Sequence, residues 1–287
     1  MKLIRYEINN KIDIGVLKRD KIYPFKNYSL SKNYTDLKDF VKNYNSEDFE
    51  KLKEDGKDFV NIKDVKILSP FVNLDHDMIC VGLNYKDHVE ESEKSKIKAG
   101  EAENATYFSK RCEIISSPDE VLEYDFSLDE ALDYETELGV IIGKRGKDIN
   151  YEEAKDYVFG FTIVNDFSAR NLQKDHGQWY KGKSIDGFSA MGPVIVTSDE
   201  IDGMNLDLKT YVNGELRQNS NTKYMIRDIY KLIEEFSRGI TLVPGDVFAT
   251  GTPKGVGMGF SPEKFLKSGD EVKCVIEGIG ELKNFIK

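Results

Sequence analysis

Three acidic residues alternate along one predicted strand. Asp133, Glu135 and Glu137 precede the apolar run 138–142. Because successive side chains on a strand point to opposite faces, these three carboxylates project from the same side. Like charges beside a hydrophobic run are unfavourable unless a cation lies among them, and oxygen ligands select Mg²⁺, Mn²⁺ or Ca²⁺ rather than zinc. The alternative interpretation is a solvated strand face that binds no metal.

A further acidic residue lies at the end of a second apolar strand. Asp166 follows the apolar run 161–164 and stands next to Asn165. A carboxylate in this place could complete a three-carboxylate metal site. Taken alone, the pattern favours the alternative, an Asx turn that stabilises the exit from the strand.

A histidine and a glutamate have the spacing of a general base and its partner. His88 and Glu91 lie three residues apart in a predicted helical turn over 86–92, so both project from one face. A carboxylate held against an imidazole raises its basicity and fixes its tautomer, which suits the pair to activate water. A solvated helix start is the alternative interpretation.

The overall composition limits the possible classes of protein. The chain has 287 residues, with 51 acidic against 41 basic residues and a formal net charge of −10, which argues against binding nucleic acid or an anionic membrane surface. No apolar stretch approaches the roughly 20 residues of a membrane span, and the start resembles no secretory signal. The cysteines Cys80, Cys112 and Cys274 are widely spaced, which predicts buried thiols in a reducing cytoplasm.

The elements that must position these residues are mainly strands. Alternating residues predict strands in the first 25 positions, followed by helices at 36–44 and 46–55, the second capped by Ser46. After residue 70 strands dominate, at 136–142, 158–165, 193–197, 206–213, 246–250 and 271–277. Helices are predicted at 151–158 and 221–239. We therefore divide the chain into a small N-terminal domain, 1–70, and a larger domain, 71–287.

Two loop-like segments carry further polar residues. The segment QWYKGKS, 178–184, holds the only tryptophan and two lysines. The glycine-rich segment TGTPKGVG, 250–257, lacks the spacing of a phosphate-binding P-loop, but its amides and hydroxyls could hold a substrate carboxylate.

These segments together resemble the fumarylacetoacetate hydrolase family. The similarity covers about residues 78–287 and includes, in order, GLNYKDHVEE, DYETELGVIIGK, NDFSARNLQ, KGKSIDGFSAMGP, VNGELRQ, TLVPGDVFATGTPKGVG and FLKSGDEV. The resemblance implies an α+β, mainly β protein, a mixed β-sandwich roll with a small N-terminal α+β domain. It also implies a homodimer that uses Mg²⁺ or Mn²⁺, with Ca²⁺ as a further possibility.

The resemblance also implies roles for individual residues. The metal ligands fall on Glu135, Glu137 and Asp166. The catalytic residues fall on His88, Glu91 and Lys183, and the substrate-binding residues on Gln173, Thr252 and Lys110. Two positions depart from the family pattern: Asn171 replaces the usual Asp, and Arg111 stands where a small residue or proline is common.

The implied reaction is metal-dependent hydrolysis of a C–C bond in a 2,4-dioxo acid of the acylpyruvate type, giving pyruvate and a carboxylic acid. The alternatives are an oxaloacetate decarboxylase, a dienoate-diacid isomerase or decarboxylase, and a metal-binding oligomer without activity. In each enzyme the substrate is a small anionic 2-oxo acid. The polar segment 92–104 directly follows the proposed His88–Glu91 pair, and we expect it to be a lid that closes over the site and brings Glu91 to His88.

Overall fold

The computed structural model describes residues 1–54, 56–94 and 104–287, with the backbone alone for 92–94. Most of the predicted lid, 92–104, therefore lies outside the described residues. None of the described helices is long and apolar enough to cross a membrane.

Strands make up most of the regular structure. In chain order they are β1 Lys2–Ile8, β2 Lys11–Lys18, β3 Lys21–Pro24, β4 Val60–Asn61, β5 Lys66–Leu68, β6 Met78–Gly82, β7 Thr106–Lys110, β8 Ile115–Ser116, β9 Val121–Leu122, β10 Leu132–Asp133, β11 Thr136–Ile142, β12 Val158–Asp166, β13 Ser168–Ala169, β14 Ser189–Thr197, β15 Asp207–Val212, β16 Glu215–Asn221, β17 Val247–Ala249, β18 Glu271–Ile276 and β19 Gly280–Ile286.

The helices are short. They are α1 Leu37–Asn43, α2 Ser46–Lys53, α3 Lys86–Lys94, α4 Tyr151–Ala154, α5 Arg170–Asp175, α6 Tyr180–Lys183 and α7 Ile229–Ser237. Single 3₁₀ turns lie at Phe25–Asn27, Ile62–Asp64, Lys155–Tyr157, Thr222–Tyr224 and Gly257–Gly259.

The described strands form one large and one smaller sheet. Twelve strands join the large sheet, whose order is β4-β3-β2-β1-β14-β12-β11-β17-β6-β7, with β5 paired to β1 and β8 to β14. The smaller sheet has the order β16-β15-β18-β19-β9, and β10 pairs with β13 separately. Antiparallel pairs predominate, but β17–β6, β14–β8 and β19–β9 are parallel. The mainly β, mixed-sheet architecture that the sequence predicts is confirmed.

Both faces of the central strand β11 are buried, which explains its continuous apolar sequence. Leu138 and Val140 point into the core between the two sheets, where they join Leu208 and Leu282 of the smaller sheet. Ile141 points to the opposite face, into a second core that the N-terminal helices cover. Strand β11, which carries Glu137, is therefore packed on both faces.

The N-terminal strands continue the large sheet. Leu3 of β1 pairs with Ile195 of β14, and the second core contains residues from both sides of position 70. The division into domains 1–70 and 71–287 stays a prediction.

Two predicted helix boundaries are wrong. The helix predicted at 221–239 begins only at Ile229, with Asp228 as its cap, because Thr222–Tyr224 form a 3₁₀ turn and Met225 pairs with Tyr85. The cap of α2 is Asn45, whose side chain accepts a hydrogen bond from the Asp48 amide, and Ser46 is the first helical residue.

Candidate active site

The centre of the candidate site is a cluster of three buried carboxylates. Glu137 lies on β11, Asp166 ends the neighbouring strand β12, and Glu135 precedes β11. One oxygen from each lies within 4.8 Å of the others. The backbone of Glu135 is fixed by its amide, which donates to Asn165 Oδ1 over 3.0 Å, and by its carbonyl, which accepts from the Asp166 amide over 2.9 Å.

Buried cations surround this cluster. Lys183 Nζ on α6 lies 2.6 Å from Glu135 Oε2 and 2.7 Å from Asp166 Oδ2, so it joins the two carboxylates. Arg170 Nη2 lies 2.7 Å from Glu135 Oε1. Lys110 Nζ binds Asp166 and the carbonyls of Phe167 and Phe188, so its three hydrogens are used within the protein.

The three carboxylates differ in their electrostatic surroundings. Burial raises the pKa of Glu135, but the charges of Lys183 and Arg170 outweigh it and hold this pKa well below its usual range. Burial, and then repulsion from Asp166 and Glu135, raise the pKa of Glu137 well above its usual range. Burial lowers the pKa of the Lys183 ammonium, but the two carboxylates that it joins raise it above normal overall.

These residues fit a divalent metal ion. Glu137 Oε2 accepts one hydrogen bond, from the Gly251 amide over 2.8 Å, while its charge is opposed by two neighbouring carboxylates. A cation among the three would relieve this repulsion, and three carboxylates form a donor set for a hard ion. Glu135, Glu137 and Asp166 would hold it.

Asp133 does not join the cluster, contrary to the alternation that places it beside Glu135 and Glu137. Its Oδ2 accepts from Arg170 Nε over 2.9 Å, and its Oδ1 accepts from the Gly257 amide over 2.6 Å. The strand is interrupted between β10 and β11, so the two-residue period does not continue across the break. Asp133 instead holds Arg170 and the loop at 257–258 in place.

His88 and Glu91 lie on one face of α3, as the spacing predicts. His88 Nδ1 is 3.1 Å from Glu91 Oε2, and Glu91 Oε1 accepts from the Gly255 amide over 3.0 Å. A Cβ on Gly259 would come within 2.0 Å of Glu91 Oε1, so only glycine leaves room for this carboxylate. The imidazole and the carboxylate are thus already in contact, with the glycine-rich loop holding the second carboxylate oxygen.

Most of the predicted site residues line one small cavity of about 30 Å³. They are His88, Glu135, Glu137, Gln173, Lys183 and Thr252. Gln173 Oε1 accepts from Arg170 Nη1 over 3.1 Å, and Thr252 Oγ1 donates to the Thr136 carbonyl over 3.0 Å. The chain thus brings a carboxylate cluster, an imidazole, an ammonium and two polar side chains to one enclosed space.

The other predicted site residues, Glu91, Asp166 and Lys110, do not line this cavity, and neither do the two departures from the family pattern, Asn171 and Arg111. Lys110 is fully buried beside Asp166, where it holds that carboxylate. Asn171 donates to Asp129 Oδ1 over 2.8 Å, and the Arg111 amide donates to Ser184 Oγ.

Sequence reasoning missed several residues of the cavity wall. Arg170 contacts both Asp133 and Glu135, and Trp179, Phe108 and Met258 supply apolar surface. Arg170 closely follows Asp166 in the sequence, which is a signal that could have identified it. The Trp179 and Phe108 rings meet edge to face with centroids 5.0 Å apart, a contact between distant segments that the sequence does not encode locally.

Comparisons with known proteins found a family model and a named relative that match this chain. The family model described as fumarylacetoacetate (FAA) hydrolase C-terminal matches residues 77–287. The chain is 43% identical over 232 residues to the oxaloacetate tautomerase YisK of Bacillus subtilis, covering 80% of this chain and 76% of that protein.

Solved structures of similar proteins extend the likeness to the whole chain. A fumarylacetoacetate hydrolase from psychrophilic Exiguobacterium antarcticum has a TM-score of 0.88 at 40% identity, covering 100% of this chain and 99% of the other. The 2-hydroxyhepta-2,4-diene-1,7-dioate isomerase of Mycobacterium marinum has a TM-score of 0.73 at 29% identity, covering 100% and 98%. The names of these relatives span a hydrolase, a tautomerase and an isomerase on one scaffold.

Proposed function

Since this chain belongs to the fumarylacetoacetate hydrolase family, we propose that it is a metal-dependent enzyme that interconverts the enol and keto forms of oxaloacetate or a similar small 2-oxo acid. The observation that carries the proposal is that His88, whose Nδ1 contacts Glu91, lines the same small cavity as Glu135 and Glu137. A base and a metal-binding cluster so placed suit proton transfer beside a carbonyl group. The similarity to an oxaloacetate tautomerase supports this choice of reaction.

A divalent ion, Mg²⁺ or Mn²⁺, with Ca²⁺ as a further possibility, would polarise the 2-oxo group and offset the charge of the substrate carboxylate when bound. Glu91 Oε2 accepts a hydrogen bond from His88 Nδ1, so it fixes the tautomer and leaves Nε2 to exchange a proton with the substrate. His88 takes the enol hydroxyl proton and returns it to C3, which gives the keto form and restores the neutral imidazole. Lys183 offsets negative charge that develops on the substrate oxygen.

A second candidate reaction is hydrolysis of a 2,4-dioxo acid of the acylpyruvate type. Gln173 and Thr252 line the cavity and favour it, because both are polar groups that suit the oxyanion formed when water attacks a carbonyl. In this reaction His88 removes a proton from water, the hydroxide attacks the 4-carbonyl, and cleavage of the C3–C4 bond gives a carboxylic acid and pyruvate enolate, which is then protonated. Decarboxylation of oxaloacetate needs no such base.

The test follows the ultraviolet absorbance of two substrates, oxaloacetate and acetylpyruvate, with Mn²⁺ or with EDTA. We expect rapid equilibration of oxaloacetate enol with Mn²⁺, and loss of activity in EDTA and in Glu137→Ala. His88→Ala should lower the rate by about 10²–10⁴-fold. Glu153→Ala, at an exposed position on α4, is the matched control and should keep full activity. Pyruvate release from acetylpyruvate would identify the hydrolase instead.

Two outcomes would contradict the proposal. Full activity of Glu137→Ala in Mn²⁺ would show that the reaction does not depend on the metal site. Pyruvate and CO₂ formed from oxaloacetate at an unchanged rate in His88→Ala would identify a decarboxylase, because that reaction does not depend on the imidazole.

The proposal extends to the cellular location, the oligomeric state and the binding partners of the enzyme. A formal charge of −10 and three free, buried cysteines support location in the cytoplasm. We also propose a homodimer that binds a small anionic 2-oxo acid and neither nucleic acid nor membrane. Light scattering of the purified chain tests the dimer.

A further inference from the structure

Gln218 is a buried side chain that the proposed reaction does not use. It lies on β16 in the smaller sheet, and none of its surface is exposed. Its amide nevertheless makes four hydrogen bonds, the full number that a glutamine side chain can make. Three of the four partners belong to segments of the candidate active site.

The oxygen of Gln218 contacts the start of β11, between Glu135 and Glu137. Gln218 Oε1 accepts from the Thr136 amide over 3.1 Å and from Thr210 Oγ1 over 2.6 Å. The Thr136 amide belongs to the peptide group that joins Glu135 to Thr136. Gln218 therefore holds the backbone immediately beside one of the three carboxylates.

The nitrogen of Gln218 contacts the loop on the other side of the site. Gln218 Nε2 donates to Thr252 Oγ1 over 2.8 Å and to the Pro253 carbonyl over 2.7 Å. Thr252 Oγ1 in turn donates to the Thr136 carbonyl over 3.0 Å, which closes a ring of hydrogen bonds. These hydrogen bonds fix the amide and the carbonyl of Thr136, and so both peptide groups between Glu135 and Glu137.

The topology explains why a side chain is needed at this point. Strand β17 pairs with β11 from Gly139 to Ile141 and ends at Ala249, before it reaches Thr136. The Gln218 amide and the Thr252 hydroxyl take the place of the missing strand partner. The same loop supplies the Gly251 amide to Glu137, so its position also fixes a second carboxylate.

We propose that Gln218 is a positioning residue that fixes the backbone between Glu135 and Glu137 and so sets the geometry of the metal-binding carboxylates. It acts through Thr136 and Thr252, without contact to metal or substrate. The inference rests on one part of the proposed function, the metal site. It concerns metal affinity and does not depend on which 2-oxo acid is the substrate. Outer partners of metal ligands typically contribute 10–100-fold to affinity.

The test measures Mn²⁺ affinity of the full chain by isothermal titration calorimetry, together with kcat and KM. Methionine has a similar length to glutamine but cannot replace its hydrogen bonds, so Gln218→Met should weaken Mn²⁺ binding by about 10–100-fold. Because the geometry of the loaded site also changes, kcat should fall even at saturating Mn²⁺. Thr210→Val removes the bond to Gln218 Oε1 and the contact with the Thr136 hydroxyl, so it should weaken binding about threefold, and it is measured as well in case Gln218→Met does not fold.

A destabilised control separates positioning from stability alone. Leu208→Ala removes a fully buried core side chain on β15 and should lower stability while leaving the Mn²⁺ affinity within about twofold of the wild type. Wild-type affinity in Gln218→Met, or an equal loss in Leu208→Ala, would overturn the inference. Failure of the wild type to bind Mn²⁺ would overturn it together with the metal site. Tight Mn²⁺ binding without turnover of either substrate would instead contradict the proposed reaction alone.

Discussion

Lys183→Met tests how the buried charges of the site are balanced. The Lys183 side chain is 2% exposed, and its ammonium joins Glu135 to Asp166. Removing one partner of a buried ion pair costs about 3–5 kcal/mol, because a buried charge is left uncompensated. Glu135 keeps Arg170 and Asp166 keeps Lys110, so we expect the lower figure, about 3 kcal/mol.

Thermal unfolding with and without metal measures this loss. For a chain of this size 1 kcal/mol corresponds to roughly 3 °C, so Lys183→Met should unfold about 9 °C lower than the wild type in EDTA. Mn²⁺ at about 100 times its Kd stabilises a protein by about 2.7 kcal/mol. The stabilisation should be larger in the variant at equal Mn²⁺ concentration, because the ion then replaces a missing positive charge.

Lys181→Met is the matched control, since Lys181 lies on the same helix, α6, and is exposed. It should change the unfolding temperature by less than about 2 °C. A Lys183→Met variant that is as stable as the wild type in EDTA, or that gains nothing extra from Mn²⁺, would show that the Lys183 ammonium does not balance these carboxylates.

Two further changes test a buried acid and the cavity wall. Burial raises the pKa of Asp48, but hydrogen bonds from Ser31 and Tyr34 outweigh it and lower this pKa below its normal 3.8. Asp48 therefore stabilises the fold above about pH 4 and loses this effect as the pH falls further, so Asp48→Asn should cost about 2 kcal/mol in urea unfolding at neutral pH and less in acid. A Cβ at Gly82 would lie 2.4 Å from the Trp179 ring, so Gly82→Ala should displace that ring. Fluorescence of this single tryptophan should shift, and kcat/KM should fall about tenfold.

Each of these two changes has a control that makes the same substitution at another position. Asp58→Asn, at an exposed position, should show no such pH dependence. In Gly56→Ala the new Cβ approaches neighbouring side chains no closer than 3.2 Å, far from Trp179, so the fluorescence should not change. An Asp48→Asn effect that grows in acid, or an unchanged spectrum in Gly82→Ala, would contradict the respective argument.

The residue pattern alone leaves a solvated strand face and an Asx turn as alternatives, and the family resemblance indicates the carboxylate cluster that the structure contains. Glu137 alternates into an apolar strand and Asp166 ends another, and the register of the two strands brings these positions together. The same alternation fails for Asp133, since the strand is interrupted after it. His88 and Glu91 meet because the three-residue spacing holds within a single helix.

The remaining site residues depend on contacts between distant segments. Gln218 reaches Thr136 across 82 positions of sequence, and the segment VNGELRQ, which ends at Gln218, does not indicate this distant partner. The predicted start of α7 is wrong for a similar reason, because the amides of Ile226 and Arg227 donate to the distant Asn84 despite a helical pattern in this segment. Long-range pairing decides these positions.

The pairing of β1 with β14 has a consequence for shortened forms of the protein. Without residues 1–70, β14 would present its backbone amides and carbonyls beside Ile195 and Val196 to solvent. An exposed, apolar edge strand of this kind pairs readily with strands of other molecules. A fragment cut to the family-matched region would accordingly tend to self-associate, even though it retains every carboxylate of the site.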